Sequence, residues 1–126
     1  MGKGYLADTN TVIDYLENKL PEKGIKIIDE VEMQFSVITR MELLSWGNAS
    51  EMQLRFLRDF IDVSTVFNLS EDIILKTIEI RKLYRIKLPD AIIAATAVFN
   101  NFTLLTRNLK DFKNIVELDS VNPYYL

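Results

Sequence analysis

Four acidic residues lie where predicted strands end or predicted helices begin, in positions from which they could bind one metal site. They are Asp8, Glu42, Asp90 and Asp111. Several carboxylates without a nearby imidazole or thiol are typical ligands of a hard divalent cation such as Mg²⁺ or Mn²⁺. A cation bound in this way activates water for attack on a phosphodiester without any protein nucleophile. These residue types therefore favour metal-dependent nuclease chemistry.

The chain contains no histidine and no cysteine. Their absence excludes Ser-His-Asp triads, Cys-His pairs, ribonuclease chemistry based on paired histidines, and the usual Cys/His zinc sites. A Ser-Lys pair and pure carboxylate chemistry are the mechanisms left. For a phosphodiester substrate, we expect carboxylates that act together with a metal ion.

The net charge of −3 is unevenly distributed along the chain. Residues 81–113 carry seven basic and two acidic side chains, a net charge of +5. The other 93 residues carry eight basic and sixteen acidic side chains, a net charge of −8. The positive segment includes Asp90 and Asp111, so a phosphate backbone is one explanation for it. A solvated basic helix face followed by a basic loop is the other.

The overall composition is typical of a single soluble domain, which we expect to span residues 1–126. Hydrophobic residues make up 48% of the chain and charged residues 26%. No apolar run approaches the roughly 18 to 20 residues that cross a bilayer, and the first residues do not resemble a signal peptide. The lack of cysteine fits the cytosol. We therefore expect a cytoplasmic protein with no membrane partner.

Hydrophobic periodicity predicts strands that alternate with helices. The helix opened by Pro89 is apolar on nearly all sides, so we expect it to be buried. Strands separated by helices imply a parallel sheet covered on both faces. The predicted strands are 5–7, 34–38, 63–67, 102–105 and 115–118, and the predicted helices begin near residues 9, 21, 39, 50, 70 and 89.

This topology brings three of the four acids to one edge of the sheet. Asp8 ends the first strand, Glu42 lies one turn past the second, and Asp111 follows the fourth after a short loop. Ligands of such sheets bind beyond the carboxyl ends of the strands. Asp90 has no preceding strand, so the topology alone does not position it.

Each acid also has a purely structural explanation. Asp8 could cap a helix, and the helix dipole could favour Asp90 in a first helical turn. Thr39 with Glu42 matches the capping box. Asn108 and Asp111 show the same spacing of three. Taken together these explanations are weaker, because Asp8 and Asp90 adjoin apolar segments and a buried carboxylate is costly unless it is paired or bound to metal.

A second question concerns a dense group of apolar residues in the region of the third and fourth helices. We interpret most of them as ordinary core. The alternative is a groove for an amphipathic partner helix, in which methionines and a tryptophan adapt to the bound surface. The group comprises Met33, Met41, Leu44, Trp46, Met52 and Phe56.

Four segments of the chain resemble the four motifs of PIN-domain ribonucleases. Their order, spacing and total length most resemble the VapC-like toxins of type II toxin–antitoxin pairs, and the similarity extends to the terminal Val-Asn-Pro. One such motif is a weak signal, whereas four in order are a strong one. The segments are LADTNTVI at 6–13, SVITRMEL at 36–43, LPDAIIA at 88–94 and LTRNLKDF at 105–112.

The resemblance implies a three-layer α/β/α sandwich with a mostly parallel sheet of five strands. It also implies dependence on Mg²⁺ or Mn²⁺, an RNA substrate, a homodimer, and inhibition by a small antitoxin. By this resemblance the four acids correspond to the family's metal-binding catalytic residues, and none is substituted. The auxiliary polar positions correspond to Asn10, Thr106 and Asn108.

We therefore predict an endoribonuclease in which metal-activated water attacks the phosphodiester. Lys87, Arg107 and Lys110 are expected to position the RNA backbone. One alternative is a non-catalytic module of the same fold that binds RNA or protein. Another is a phosphatase of the haloacid dehalogenase type, since residues 8–12 resemble its nucleophile loop. That family needs a second Asp where Asn10 stands, and a later acidic pair that the chain lacks.

Overall fold

A computed structural model describes residues 4–125 of the chain. Five short strands alternate with seven helices among these residues. The strands are β1 (Tyr5–Ala7), β2 (Gln34–Ser36), β3 (Thr65–Phe67), β4 (Thr103–Leu105) and β5 (Asp119–Val121). The helices are α1 (Thr9–Leu16), α2 (Glu22–Glu30), α3 (Val37–Leu44), α4 (Glu51–Asp62), α5 (Glu71–Leu83), α6 (Leu88–Phe99) and α7 (Leu109–Phe112).

The strands pair in parallel, as the alternation of strands and helices predicts. One ladder joins β1, β4 and β5 in that order, and a second ladder joins β2 to β3. Strand β2 lies beside β1, and the Gln34 Nε2 amide donates to the Tyr5 carbonyl at 3.1 Å. The strand order is therefore 3-2-1-4-5, with a side chain rather than a regular backbone ladder joining the two parts.

Successive residues of the central strands face different helical layers. Leu6 and Leu104 are fully buried against α5 and α6. Ala7 packs towards α1 and α3, while Leu105 packs towards α2. Side chains of a strand alternate between the two faces of a sheet, so apolar residues at consecutive positions need cover on both. The predicted α/β/α arrangement is confirmed.

Helix α6 is the most deeply buried helix, as its apolar sequence predicts. Every residue from position 91 to 97 is buried. Its packing against α5 accounts for the largest helix–helix contact of the described chain. In residues 4–125 no helix has both the length and the apolar character needed to span a bilayer.

The fifth strand lies further along the chain than the sequence pattern predicts. Residues 115–118 form turns, with backbone hydrogen bonds from Ile115 to Phe112 and from Leu118 to Ile115. Ile115 and Leu118 are both buried. The strand is Asp119–Val121 instead. Periodicity does not separate a short apolar strand from a turn whose apolar residues are anchored in the core.

Helix α3 begins two residues before the predicted start. Strand β2 ends at Ser36, whose hydroxyl accepts from the Ile38 amide as the N-cap of α3. Thr39 is therefore inside the helix, and the capping box proposed for Thr39 and Glu42 is wrong. Ser36 is also a favoured N-cap residue, which explains the earlier start.

The C-terminal segment packs closely against α2 at Gly24. A Cβ atom on Gly24 would lie 2.6 Å from the Pro123 carbonyl oxygen. Alanine normally stabilises a helix interior relative to glycine by roughly 1 kcal/mol, but here the methyl group would force backbone atoms apart. We expect Gly24→Ala to lower the free energy of unfolding by about 1–3 kcal/mol, measured by urea denaturation.

Gly47→Ala is the matched control, because a Cβ there meets nothing within 4 Å. Its effect should stay within roughly 0.5 kcal/mol. Equal stability of the Gly24→Ala variant and the wild type would show that the C-terminal segment does not pack tightly on α2.

Candidate functional site

Asp8 is held at the carboxyl end of β1 by contacts with the end of β4. Its amide donates to the Leu105 carbonyl at 3.1 Å, and the Thr11 hydroxyl donates to the same carbonyl at 2.9 Å. Asp8 Oδ1 accepts from the Thr11 amide at 2.9 Å, so Asp8 is also the N-cap of α1. Only 6% of Asp8 is exposed. The residue thus caps a helix and presents a buried carboxylate at the sheet edge.

Burial raises the pKa of the Asp8 carboxyl above its ordinary value of 3.8. Hydrogen bonds from Thr106 and Thr11 oppose this rise in pKa, and the Arg107 charge opposes it more weakly. Transfer of a charged group out of water disfavours the charged form, while donors directed at it favour that form. Burial is the larger effect on Asp8, so its ionisation carries a cost in the folded protein.

Glu42 points towards the start of α1 rather than towards its own helix start. The Thr9 hydroxyl donates to Glu42 Oε1 at 2.6 Å. The Thr9 and Thr39 hydroxyl oxygens are 3.0 Å apart. These contacts join α3 to the residue that follows Asp8. Glu42 itself is exposed, so a ligand can reach its carboxylate.

Asp90 is the acid whose pKa responds to the charges of the other three. It lies in the first turn of α6, and burial is the main cause that raises its pKa above 3.8. The next causes, in order, are the negative charges of Asp111, Asp8 and Glu42. The Lys87 charge opposes them as the smallest effect. These three carboxylates are therefore near enough to Asp90 for their charges to raise its pKa.

Asp111 is oriented by a neighbouring amide. Asn108 Nδ2 donates to Asp111 Oδ2 at 2.8 Å, and the Asn108 amide donates to the Thr106 hydroxyl at 2.9 Å. Thr106 is fully buried, whereas Asp111 is exposed. The segment after β4 therefore connects Thr106, which lies near Asp8, to Asp111, which lies near Asp90.

The remaining predicted positions are less closely tied to the acids. Asn10 is exposed on α1, and Lys87 and Lys110 are exposed near α6 and α7. Arg107 donates from Nη1 to Asp14 Oδ2 at 3.1 Å. Its guanidinium is therefore engaged outside the acid cluster, and within residues 4–125 no salt bridge is formed by any of the four acids.

Sequence reasoning missed Thr9 and Asp14. Thr9 adjoins Asp8, but its bond to Glu42 joins residues 33 positions apart. Asp14 is 4% exposed although it is charged. An acid within the apolar spacing of α1 was the available signal, because a buried carboxylate needs a partner.

The donor set fits a divalent cation, although the carboxylates are not arranged as a closed coordination shell. Within the described residues no three acidic side chains are already close enough to hold a metal ion. Carboxylate oxygens in a cluster without imidazole or thiol ligands match the preference of Mg²⁺ or Mn²⁺.

A model of the PIN domain matches residues 5–118. The chain belongs to the PIN domain family. This PIN domain is 31% identical over 121 residues to Ribonuclease VapC1 of Methanocaldococcus jannaschii, a match that covers 89% of this chain and 81% of that protein.

Solved structures with the same fold come from toxin–antitoxin systems. A toxin–antitoxin complex from Klebsiella pneumoniae matches with a TM-score of 0.80 and 33% identity, covering 98% of this chain and 100% of that one. DNA-bound VapBC from Salmonella typhimurium matches with a TM-score of 0.80 and 27% identity, covering 95% and 98% of the two chains. This PIN domain therefore shares its whole fold with VapC-type proteins.

An apolar groove lies next to the acid cluster of this PIN domain. The core interpretation of the apolar group is wrong for four of its members, since Met41, Trp46, Met52 and Phe56 are 49%, 49%, 82% and 58% exposed. The groove has a volume of about 740 Å³ between α1, α3 and α4. Its lining includes Ile13, Leu16, Leu43, Trp46, Met52 and Phe56, together with Glu17 and Glu42.

The raised pKa values predict how stability varies with pH in the absence of metal. In the unfolded chain the Asp90 carboxyl ionises near pH 3.8, whereas in the folded protein its pKa is higher. The contribution of Asp90 to the free energy of unfolding therefore falls as the pH rises above 3.8. Asp90→Asn removes this penalty. We expect its free energy of unfolding in EDTA to exceed that of the wild type at pH 7, with the difference shrinking towards pH 4.

Asp72→Asn is the matched control, because Asp72 lies in the first turn of α5 and is exposed. It should lose a few tenths of a kcal/mol at pH 7 through the helix dipole. A loss of stability in Asp90→Asn that persists across this pH range would instead make Asp90 a structural cap.

Proposed function

We propose that this PIN domain is a metal-dependent endoribonuclease and the toxin of a toxin–antitoxin pair. One observation carries the proposal: the buried Asp8 at the end of β1 and the half-buried Asp90 in the first turn of α6 lie near Glu42 and Asp111, and none of these acids forms a salt bridge within residues 4–125. The similarity to Ribonuclease VapC1 and to the solved toxin–antitoxin complex supports the choice of RNA and the role of toxin.

In this proposal Asp8 and Asp90 are the main ligands of a Mg²⁺ or Mn²⁺ ion. Glu42 and Asp111 complete the site, directly or through water. Such an ion would supply an activated water for attack on the phosphodiester and positive charge for the departing 3′ oxygen. Cleavage then yields a 5′-phosphate and a 3′-hydroxyl.

The neutral side chains around the acids orient them. Thr9 donates to Glu42 and Asn108 donates to Asp111, while Thr106 lies close enough to Asp8 to lower the pKa of its carboxyl. Hydrogen bonds of this kind fix the direction of ligand oxygens and exclude alternative rotamers. Asn10, exposed on the first turn of α1, is proposed to contact water or RNA near the same acids.

Basic residues near the acids would reduce the repulsion between the acids and the phosphates of RNA. Lys87 precedes Asp90 by three positions, Arg107 lies in the loop after β4, and Lys110 directly precedes Asp111 in α7. Contacts from such side chains to phosphate fix the position of a nucleic acid without reading its sequence. Lys87, Arg107 and Lys110 are therefore proposed to hold the RNA backbone across the acid cluster.

The central test is cleavage of an RNA oligonucleotide in Mg²⁺ and in EDTA. We expect cleavage only with the metal, and we expect Asp8→Asn and Glu42→Gln to lower kcat by more than the roughly 100-fold that loss of an outer ligand-orienting group causes. Mapping of RNA ends should give 5′-phosphates. Glu30→Gln, at an exposed site on α2, should retain activity.

The rival functions predict other outcomes of the same assay. A non-catalytic module would bind RNA without cleaving it in either solution. A phosphatase of the haloacid dehalogenase type would hydrolyse a phosphate monoester and leave the oligonucleotide intact. EDTA-resistant cleavage would reject the proposed role of the carboxylates.

The apolar groove is proposed to bind the amphipathic helix of a small antitoxin. The solved relative from Klebsiella is a toxin–antitoxin complex, and Glu17 and Glu42 in the groove suit a helix with basic residues beside its apolar face. Such a helix would lie against Glu42 and cover the acid cluster.

A homodimer, which the family resemblance implies, is proposed as well and can be tested by sedimentation.

Titration calorimetry with the protein encoded beside this chain's gene tests the groove. Phe56→Ser removes an exposed aromatic anchor and should raise the Kd by about 30-fold or more. Val116→Ser is the control, since Val116 is 87% exposed outside the groove. Equal weakening by both variants would place the antitoxin elsewhere.

A further inference from the structure

A buried carboxylate outside the acid cluster holds Arg107. Asp14 lies on α1, and its Oδ2 accepts from Arg107 Nη1 at 3.1 Å. The Tyr124 hydroxyl donates to the same oxygen. Asp14 is only 4% exposed, whereas half of the Arg107 side chain is exposed. We call these three residues the Arg107 clamp.

Arg107 lies between the two polar residues that contact the acids. Thr106 before it lies close enough to Asp8 to lower the pKa of that carboxyl, and Asn108 after it donates to Asp111. The guanidinium charge also acts on Asp8. A guanidinium carries five N–H donors in a fixed planar fork. One of them is bound to Asp14, and half of the side chain is exposed, so other donors remain open to a ligand.

An unrestrained arginine at this position would pair with the acids. Four carboxylates attract a guanidinium, and a direct ion pair with Asp8 would occupy oxygen atoms that the proposed metal site needs. Asp14 supplies a competing carboxylate, and its burial leaves little water to weaken the pair. The Arg107 clamp thus keeps the guanidinium charge near the acid cluster without an ion pair to any of the four carboxylates.

We propose that Asp14 and Tyr124 are positioning residues that fix Arg107 so that its outward N–H groups bind a phosphate of the RNA. The proposal rests on the ribonuclease function proposed above. It gives the C-terminal segment a part in substrate binding, since Tyr124 acts on RNA only through Arg107. Guanidinium groups recognise phosphate through two parallel N–H donors, which requires a fixed orientation.

The C-terminal segment is itself well anchored for this role. The Tyr124 amide donates to Asn122 Oδ1 at 2.9 Å. Pro123 is buried against Gly24, where no Cβ fits. The backbone at Tyr124 is therefore anchored by the hydrogen bond to Asn122 and by the packing of Pro123, and its side chain reaches Asp14 from this fixed position.

A double-mutant cycle tests the clamp with steady-state cleavage of an RNA oligonucleotide. Arg107→Gln should lower kcat/KM about tenfold, the effect expected from one lost charge-assisted hydrogen bond. Tyr124→Phe removes only a hydroxyl group and should lower kcat/KM about threefold. In the Arg107→Gln background, Tyr124→Phe should have no further effect, because residues that act through one contact are not additive.

Tyr125→Phe is the control for the tyrosine change, since Tyr125 is 86% exposed. It should leave kcat/KM unchanged. A threefold loss from Tyr124→Phe in both backgrounds would overturn the clamp, as would no loss in either. A structural role alone would lower thermal stability equally in both backgrounds and would not produce this dependence on Arg107.

Salt dependence of RNA binding gives a second readout that needs no cleavage. In the Asp90→Asn background, Arg107→Gln should reduce the slope of log affinity against log salt by about 0.7, the value for one phosphate contact to a single strand. Lys26→Gln removes an equal charge from exposed α2 and should leave the slope unchanged. An unchanged slope in Arg107→Gln would overturn the clamp.

The two proposals fail in different ways. Wild-type protein that binds RNA without cleaving it would overturn the ribonuclease function, while the salt slopes would still decide the clamp. Cleavage that depends on Asp8 and Asp90 but not on Tyr124 would overturn the clamp alone.

Discussion

The electrostatic interaction of Asp90 with Asp8, Glu42 and Asp111 is the interaction on which the proposed function depends. Parallel pairing of β1 with β4 ends at Asp8, whose amide continues the ladder to the Leu105 carbonyl. The loop after β4 then brings Asp111 towards Asp90. Within residues 4–125, Arg107 is the cation beside Asp8, and it is bound to Asp14. The fold thus gathers negative charge at this edge, and the bond to Asp14 keeps the Arg107 charge beside the acids without pairing it to them.

Much of this arrangement follows from the sequence. Asp8 ends an apolar strand, and the rule that ligands lie beyond the carboxyl ends of parallel strands predicts its edge of the sheet. Asp111 follows from the same reasoning. Asp90 does not, because no strand precedes it. Its location depends on how α6 packs, and the apolar sequence of α6 predicts burial without predicting direction.

Other features depend on contacts that local patterns do not encode. The Thr39–Glu42 spacing fits a capping box, yet Ser36 starts the helix and frees Glu42 to meet Thr9. The run at 115–118 has strand composition, yet its apolar side chains reach the core through turns. Arg107 and Asp14 are 93 positions apart, so only tertiary structure reveals their bond. The turns at 115–118 and the Arg107–Asp14 bond reflect long-range packing that overrides a local preference, whereas the start of α3 reflects a competing local N-cap at Ser36.

The direct measurement of the shared cation site is an anomalous difference map from crystals of the protein soaked in Mn²⁺. The account predicts a peak in contact with carboxylate oxygens of Asp8 and Asp90, with Glu42 and Asp111 turned towards it. The peak should vanish in crystals of Asp90→Asn. A map without a peak at these acids, or a peak that survives this substitution, would contradict the claim that the four carboxylates are held together to bind one metal site.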